Sequence, residues 1–129
     1  MAKVLIVEDS SIQALALQRV LERHGLDVRH ALDGQSGIDM TRYWLPDAVV
    51  LDVKMPRIDG FEVCRRLQED NRTSHIPIIM LTAHDDQLAL RQSIYLGAVE
   101  FIPKDDFANA TLLETLRQLD ILIEHRGDE

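Results

Sequence analysis

The chain has 129 residues, 46% hydrophobic and 28% charged, the size and make-up of one globular domain with a sizeable core. Its net charge of −8 at pH 7 argues against a nucleic-acid grip, which relies on clustered Lys and Arg. The single cysteine, Cys64, excludes an internal disulfide and fits a reducing compartment, and no apolar run approaches the roughly 20 residues that cross a bilayer.

In chain order, Val4 to Val7 reads as a buried strand that ends in Glu8-Asp9. Ser10 or Ser11 then caps a helix that runs to about His24 and stops at Gly25, with Ile12, Leu15, Ala16, Arg19, Val20 and Arg23 on one face. Asp27 to Ala31 alternates weakly, as an edge strand does, and Asp33-Gly34 turns into a short helix from Gln35 to about Tyr43. The strongest strand, Ala48 to Leu51, runs into Asp52, and the Pro and Gly content of Met55-Pro56-Arg57-Ile58-Asp59-Gly60 marks a loop. A third helix extends from Phe61 to about Glu69. After Pro77, strand Ile78 to Leu81 runs into Thr82. Asp85-Asp86 opens a fourth helix that Gly97 closes, and Phe101-Ile102-Pro103 runs into Lys104. The last helix, from about Phe107 to Ile123, carries Leu112, Leu113, Leu116, Leu119, Leu122 and Ile123, a face broad enough for core packing or for a dimer contact. Five strand–helix units therefore fill the chain, which predicts an α/β domain over residues 1–124 with a parallel sheet and a frayed tail at 125–129.

The strand endings carry the chemistry. In an open parallel sheet the carboxyl ends of the strands share one edge, where ligands bind. Glu8, Asp9 and Asp52, the Thr82 hydroxyl and the Lys104 ammonium meet there, and three acids in one crevice repel one another unless a cation joins them. A carboxylate can act as a nucleophile, and the cation that joins such acids takes oxygen ligands.

Glu8-Asp9, Asp52 with Met55-Pro56 and Asp59-Gly60, Thr82-Ala83 and Lys104, in that order, resemble the receiver domain of two-component response regulators. The resemblance covers essentially the whole chain. It implies a flavodoxin-like, doubly wound five-stranded parallel sheet of order 2-1-3-4-5, with Asp9 and Asp52 facing each other at the switch point. By the same resemblance, Asp52 accepts a phosphoryl group from a histidine kinase or histidine phosphotransfer protein. Glu8, Asp9, Asp52 and the Lys54 carbonyl hold Mg²⁺, while Thr82 and Lys104 bind phosphate oxygens. Thr82 and Phe101 form the switch to an output surface made by the fourth helix, fifth strand and last helix, with a homodimer through those two helices as a possible outcome. Lys54 and His84 flank the phosphate and tune its lifetime.

One departure stands out. The family follows its lysine with a cis-linked proline, whereas Lys104 precedes Asp105, where a cis bond costs about 3–4 kcal/mol and a trans peptide is expected. Asp105 and Asp106 are then free to cap the last helix. The remaining histidines, His24, His30, His75 and His125, have no ligand spacing and read as surface residues, and Cys64 reads as inert core.

Other readings are weaker. A haloacid-dehalogenase-type phosphatase needs an acid where Lys54 stands, and a cap domain. A nucleotide-binding domain needs a Gly-rich loop where Ser10-Ser11 stands. A degenerate receiver that docks without phosphorylation remains the alternative, resting on the altered loop after Lys104. The protein is expected to be a signalling switch rather than an enzyme, in the cytoplasm, without membrane or nucleic-acid contact. The start at Met1 slightly favours a stand-alone receiver over one cut from a longer chain.

Overall fold

The three central strands of this protein are apolar runs with β-branched residues that alternate their side chains between two buried faces, whereas the two edge strands leave residues such as Arg29 and Glu100 exposed. A computed structural model describes residues 1–83, 91 and 97–123. The expected fourth helix from Asp85, His84 and the tail 125–129 lie outside the described residues.

The strands are β1 (Lys3–Val7), β2 (Asp27–Ala31), β3 (Ala48–Asp52), β4 (Ile78–Thr82) and β5 (Glu100–Pro103). They form one parallel sheet of order β2-β1-β3-β4-β5, the flavodoxin-like arrangement expected. The helices are α1 (Ser11–Arg23), α2 (Gly34–Trp44), α3 (Gly60–Glu69) and, at the end of the chain, α4 (Ala108–Gln118). On one face Leu5, Val7, Val49, Leu51, Ile78 and Met80 pack with α2 and α3 through Ile38, Val63, Cys64 and Leu67. On the other, Val4, Ile6, Val50, Ile79 and Ile102 pack with α1 and α4 through Ala14, Leu21, Leu112 and Leu116. Each large aliphatic side chain buried this way contributes about 1.5–3 kcal/mol. No helix among the described residues is long and apolar enough to cross a membrane.

Local chemistry sets the helix ends. Ser10, Asp33 and Asp59 cap α1, α2 and α3 by accepting the backbone N–H of Gln13, Ser36 and Glu62. Gly25, in the left-handed region at φ 86°, closes α1 as its N–H bonds Glu22 O and that of Leu26 bonds Leu21 O.

Four expectations change. The buried stripe of α1 is Ala14 and Leu21 with Leu17 beside them, while Ile12 is 81% exposed. Apolar residues occur almost all round this helix, so spacing alone picked the wrong stripe. The last helix ends at Gln118 rather than Ile123. Asp120 turns left-handed at φ 59°, and the Asp120 and Ile121 N–H groups bond back to Arg117 O and Leu116 O. That closure is the one glycine makes in α1, here made by an aspartate, so the sequence shows no stop signal. Leu122 then folds back into the core, whereas Ile123 is exposed. The Asp105 carboxylate accepts the Phe107 N–H from two residues before the N-cap, and the N-cap position falls to Phe107, which makes no capping bond through its side chain. His30 is half-buried, its Nδ1 2.6 Å from Gln18 Oε1.

Candidate functional site

The site begins with β1 and β3, the two central strands, which run side by side with Val7 opposite Leu51. Both strands are buried along their length, so the next polar residue on each stands at the carboxyl edge with little freedom. Glu8 and Asp52 are 5% and 6% exposed, whereas Asp9 is exposed. One oxygen from each of Glu8, Asp9 and Asp52 lies within 4.8 Å of the others, so the structure brings the three acids together.

Lys104, one residue beyond β5, reaches into this cluster. Its Nζ lies 3.0 Å from Glu8 Oε2 and 3.2 Å from Asp52 Oδ1, and it donates to Gln13 Oε1 at 3.2 Å. No peptide bond among the described residues is cis, so Lys104–Asp105 is trans as expected. The reach of Lys104 survives the missing proline, because its own N–H bonds Thr82 O at 2.7 Å and extends the β4–β5 pairing by one residue. The ground for a degenerate receiver is thereby weakened.

The charges do not balance. Burial, followed by the neighbouring Glu8 carboxylate, raises the Asp52 pKa to about 6 even though Lys104 opposes the shift. Burial also works against ionised Glu8, but the Ser10 N–H and Lys104 outweigh it and hold that carboxyl below its usual range. Lys104 is held above its ordinary value, since Glu8 and Asp52 overcome the cost of its burial. The pair therefore favours ionised Glu8 and protonates Asp52 first.

Thr82, at the end of β4, is 1% exposed, and its Oγ1 has no hydrogen-bond partner among the described residues. A buried hydroxyl of this kind is uncommon, and it stands at the end of β4, on the same sheet edge as Asp52. Phe101 is half-buried against the α2–α3 side of the core. Lys54 is exposed and lines a groove of about 480 Å³ with Asp9, Met55, Pro56 and Asp59. Among the described residues Lys54 has no ion-pair partner. Cys64 is fully buried, and burial pushes its thiol up to about 11, which fits inert core.

Two features of the site escaped the sequence reading. Gly60 starts α3 directly beneath the phosphoacceptor candidate: a Cβ there would sit 2.3 Å from Asp52 O. Its N–H bonds Val53 O at 2.8 Å, which closes the loop from Val53 to Asp59. Gln13 is the second, one turn into α1 and in contact with Lys104. Its place three residues after the Ser10 cap is the only signal that could have drawn attention to it.

The donor set decides what ligand this edge suits. Three carboxylate oxygens converge, with one of the acids forced toward protonation, and such a surplus of hard anionic oxygen fits a small dication.

The comparisons with known proteins agree. The family model of the response regulator receiver domain matches residues 4–117. Protein PilH of Pseudomonas aeruginosa is 36% identical over 116 residues, which cover 90% of this chain and 95% of PilH. Response regulator PleD of Caulobacter vibrioides is 34% identical over 125 residues, covering 95% of this chain but only 28% of PleD, so the chain spans about a quarter of that relative. The crystal structure of the chemotaxis protein CheY4 of Vibrio cholerae superposes with a TM-score of 0.84 at 30% identity, over 92% of this chain and 98% of that one. With its fold, its acid cluster and its relatives in accord, the chain belongs to the response regulator receiver domain family.

Proposed function

We propose that this receiver is a phosphoacceptor switch spanning residues 1–124, with Asp52 as the acceptor. The observation that carries the reading is the pairing of a buried carboxylate at the end of the central strand with an ammonium 3.2 Å away. The donor is a histidine kinase or histidine phosphotransfer protein. An Asp52 oxygen attacks phosphorus, the P–N bond of the donor phosphohistidine breaks, and its electron pair and a proton end on the imidazole.

Lys104 and the Thr82 hydroxyl each meet an oxygen of the transferred group, which makes catalysis mainly positioning and charge neutralisation. Glu8, Asp9, Asp52 and the Lys54 carbonyl would hold Mg²⁺, which supplies positive charge against the acids and the incoming phosphoryl group. Ionised Asp52 is the attacking form, so the raised proton affinity of that carboxyl disfavours reaction in the absence of a cation. The partnerless Thr82 hydroxyl supports its role as readout, with Phe101 following it inward and the surface of the fourth helix, β5 and α4 as output. Ile12, Leu15 and Phe107 are exposed apolar side chains at the starts of α1 and α4, which leave the same sheet edge, and they suit contact with a donor protein. Lys54 and His84 tune the lifetime, and the protein acts in the cytoplasm as a signalling element rather than an enzyme.

Incubation with acetyl phosphate and Mg²⁺, read by intact mass, tests the reading. One phosphoryl group is expected on the wild type and none on Asp52→Asn or after chelation. Equal addition to Asp52→Asn would reject Asp52 as the acceptor.

A further inference from the structure

We infer that Gln13 is a positioning residue for Lys104, an inference that rests on the phosphoacceptor reading above only for its catalytic consequence. The ammonium has three N–H bonds and three oxygen partners: Glu8 Oε2 at 3.0 Å, Asp52 Oδ1 at 3.2 Å and Gln13 Oε1 at 3.2 Å. Two of these partners change during the proposed reaction. A cation claims Glu8 oxygen, and phosphorylation converts an Asp52 oxygen into the bridge of an acyl phosphate. Gln13 is neutral and takes part in neither event. Among the partners of Lys104 in the described residues, it is the one that holds the ammonium equally well before and after transfer.

Gln13 is itself anchored at both ends of its residue. Its N–H bonds Ser10 Oγ at 3.3 Å, and the Ser10 N–H bonds Glu8 Oε1 at 3.0 Å. The path Glu8, Ser10, Gln13, Lys104 and back to Glu8 is therefore a closed ring of hydrogen bonds around the start of α1. Lys104 stands in the loop that follows β5, with its side chain 30% exposed, so without a tether the four-carbon stem has room to swing into water. Gln13 and Lys104 also line the same groove of about 510 Å³ between α1 and α4, which leaves that room on the Gln13 side.

Two measurements on the full chain test the tether. The first is the initial rate of phosphorylation by acetyl phosphate with Mg²⁺ in the wild type, Gln13→Met, Gln13→Glu, Lys104→Ala and the Gln13→Met/Lys104→Ala double variant. Methionine keeps length without the acceptor, and glutamate keeps an acceptor. Gln13→Met is expected to lose about tenfold in rate, the size of one hydrogen bond to a charged group, with Gln13→Glu within about twofold of the wild type. In the Lys104→Ala background the same Gln13→Met change is expected to have no further effect. A full additional loss there, or a wild-type rate in Gln13→Met, overturns the inference. The second measurement needs no phosphate: the ¹H–¹⁵N signal of the Lys104 ammonium in saturating Mg²⁺, where the cation draws on the Glu8 and Asp52 oxygens, a signal observable when the ammonium protons are held in hydrogen bonds. It is expected in the wild type and Gln13→Glu and broadened away in Gln13→Met. Its absence from the wild type or its persistence in Gln13→Met overturns the tether. If the wild type takes up no phosphate, the phosphoacceptor reading fails alone, and the ammonium signal still decides the role of Gln13.

Discussion

The two edges of the sheet handle charge in opposite ways. At the amino edge the Lys3 N–H donates to Asp47 Oδ2 and its Nζ to Trp44 O, each at 2.7 Å, while the Trp44 ring takes Lys3 and Arg29 at 5.4 and 4.7 Å from its centroid. Both of these cations have a neutral or opposite partner among the described residues. At the carboxyl edge three acids converge, one ammonium pairs with two of them, Glu8 and Asp52, and a buried hydroxyl stands without a partner among the described residues. Since both edges grow from the same strands, the imbalance at one of them is not a cost of the fold. On the proposed function, it marks where a ligand completes the structure.

The largest effect should come from breaking the floor of the unbalanced edge. Gly60→Ala forces a Cβ against the Asp52 carbonyl, a backbone atom that cannot rotate away. We expect a loss of about 3 kcal/mol or more in urea unfolding, together with loss of phosphorylation, since relief of the clash displaces Asp52. A side-chain deletion at the balanced edge, Lys3→Ala, should cost only about 1 kcal/mol and leave phosphorylation unchanged.

Next in size is the charge imbalance itself. The folded Asp52 pKa of about 6 lies above the ordinary 3.8, so the folded state holds its proton longer than the unfolded state. This group therefore costs nothing below about pH 4, costs progressively more between about pH 4 and 6, and costs most above that window. Asp52→Asn removes the cost and leaves Lys104 with Glu8 and Gln13. In chelator, the variant should match the wild type at about pH 4 and exceed it by about 1–3 kcal/mol at about pH 7.5. Depressed Glu8 works in the opposite direction, but it is present in both proteins and largely cancels in the difference. A pH-independent difference would contradict the burial-driven shift. Mg²⁺ should narrow the gap at about pH 7.5 by stabilising the wild type more than the variant.

Much of the carboxyl edge was legible in the sequence because strand endings report position directly: Glu8, Asp52, Thr82 and Lys104 each follow an apolar run. The ends of α1 were legible for a similar reason, since Ser10 and Gly25 act locally. What escaped was set by tertiary contact. The buried stripe of α1 is chosen by the sheet beneath it, not by hydrophobic spacing, and that left Ile12 outward and Gln13 against Lys104. Gly60 read as a loop residue, although its lack of a side chain serves the packing of Asp52. The end of α4 was hidden because Asp120 adopts a conformation that the sequence associates with glycine.

Thr82 offers a smaller contrast. Thr82→Val keeps the shape and removes the buried hydroxyl that lacks a partner, so stability should rise by about 1 kcal/mol even as phosphorylation slows. At the amino edge no comparable gain is available, because Thr82 Oγ1 alone among the buried side-chain polar atoms of the described residues lacks a partner. A fall in the urea midpoint of Thr82→Val would show that the hydroxyl is satisfied in solution.

The smallest expected effect tests whether the carboxyl edge also stores backbone strain. Arg57, in the Pro56–Ile58 turn after Asp52, sits at φ 67°, a left-handed conformation that costs a residue with a Cβ about 1 kcal/mol or more. Glycine adopts it freely but gains entropy in the unfolded chain, which offsets part of the relief. The Arg57 charge also helps to hold the Asp33 carboxyl below its usual range, after the larger influence of the Ser36 N–H. Asp33 lies near the surface, where solvent screens the contact, so it adds little to weigh against the substitution. Arg57→Gly should therefore raise stability by about 0.5 kcal/mol, read as a shift of the urea midpoint at constant slope. A slower phosphorylation rate in the same variant would mean that the strained turn holds the Lys54 carbonyl in place, which ties this loop to the unbalanced edge rather than to the fold.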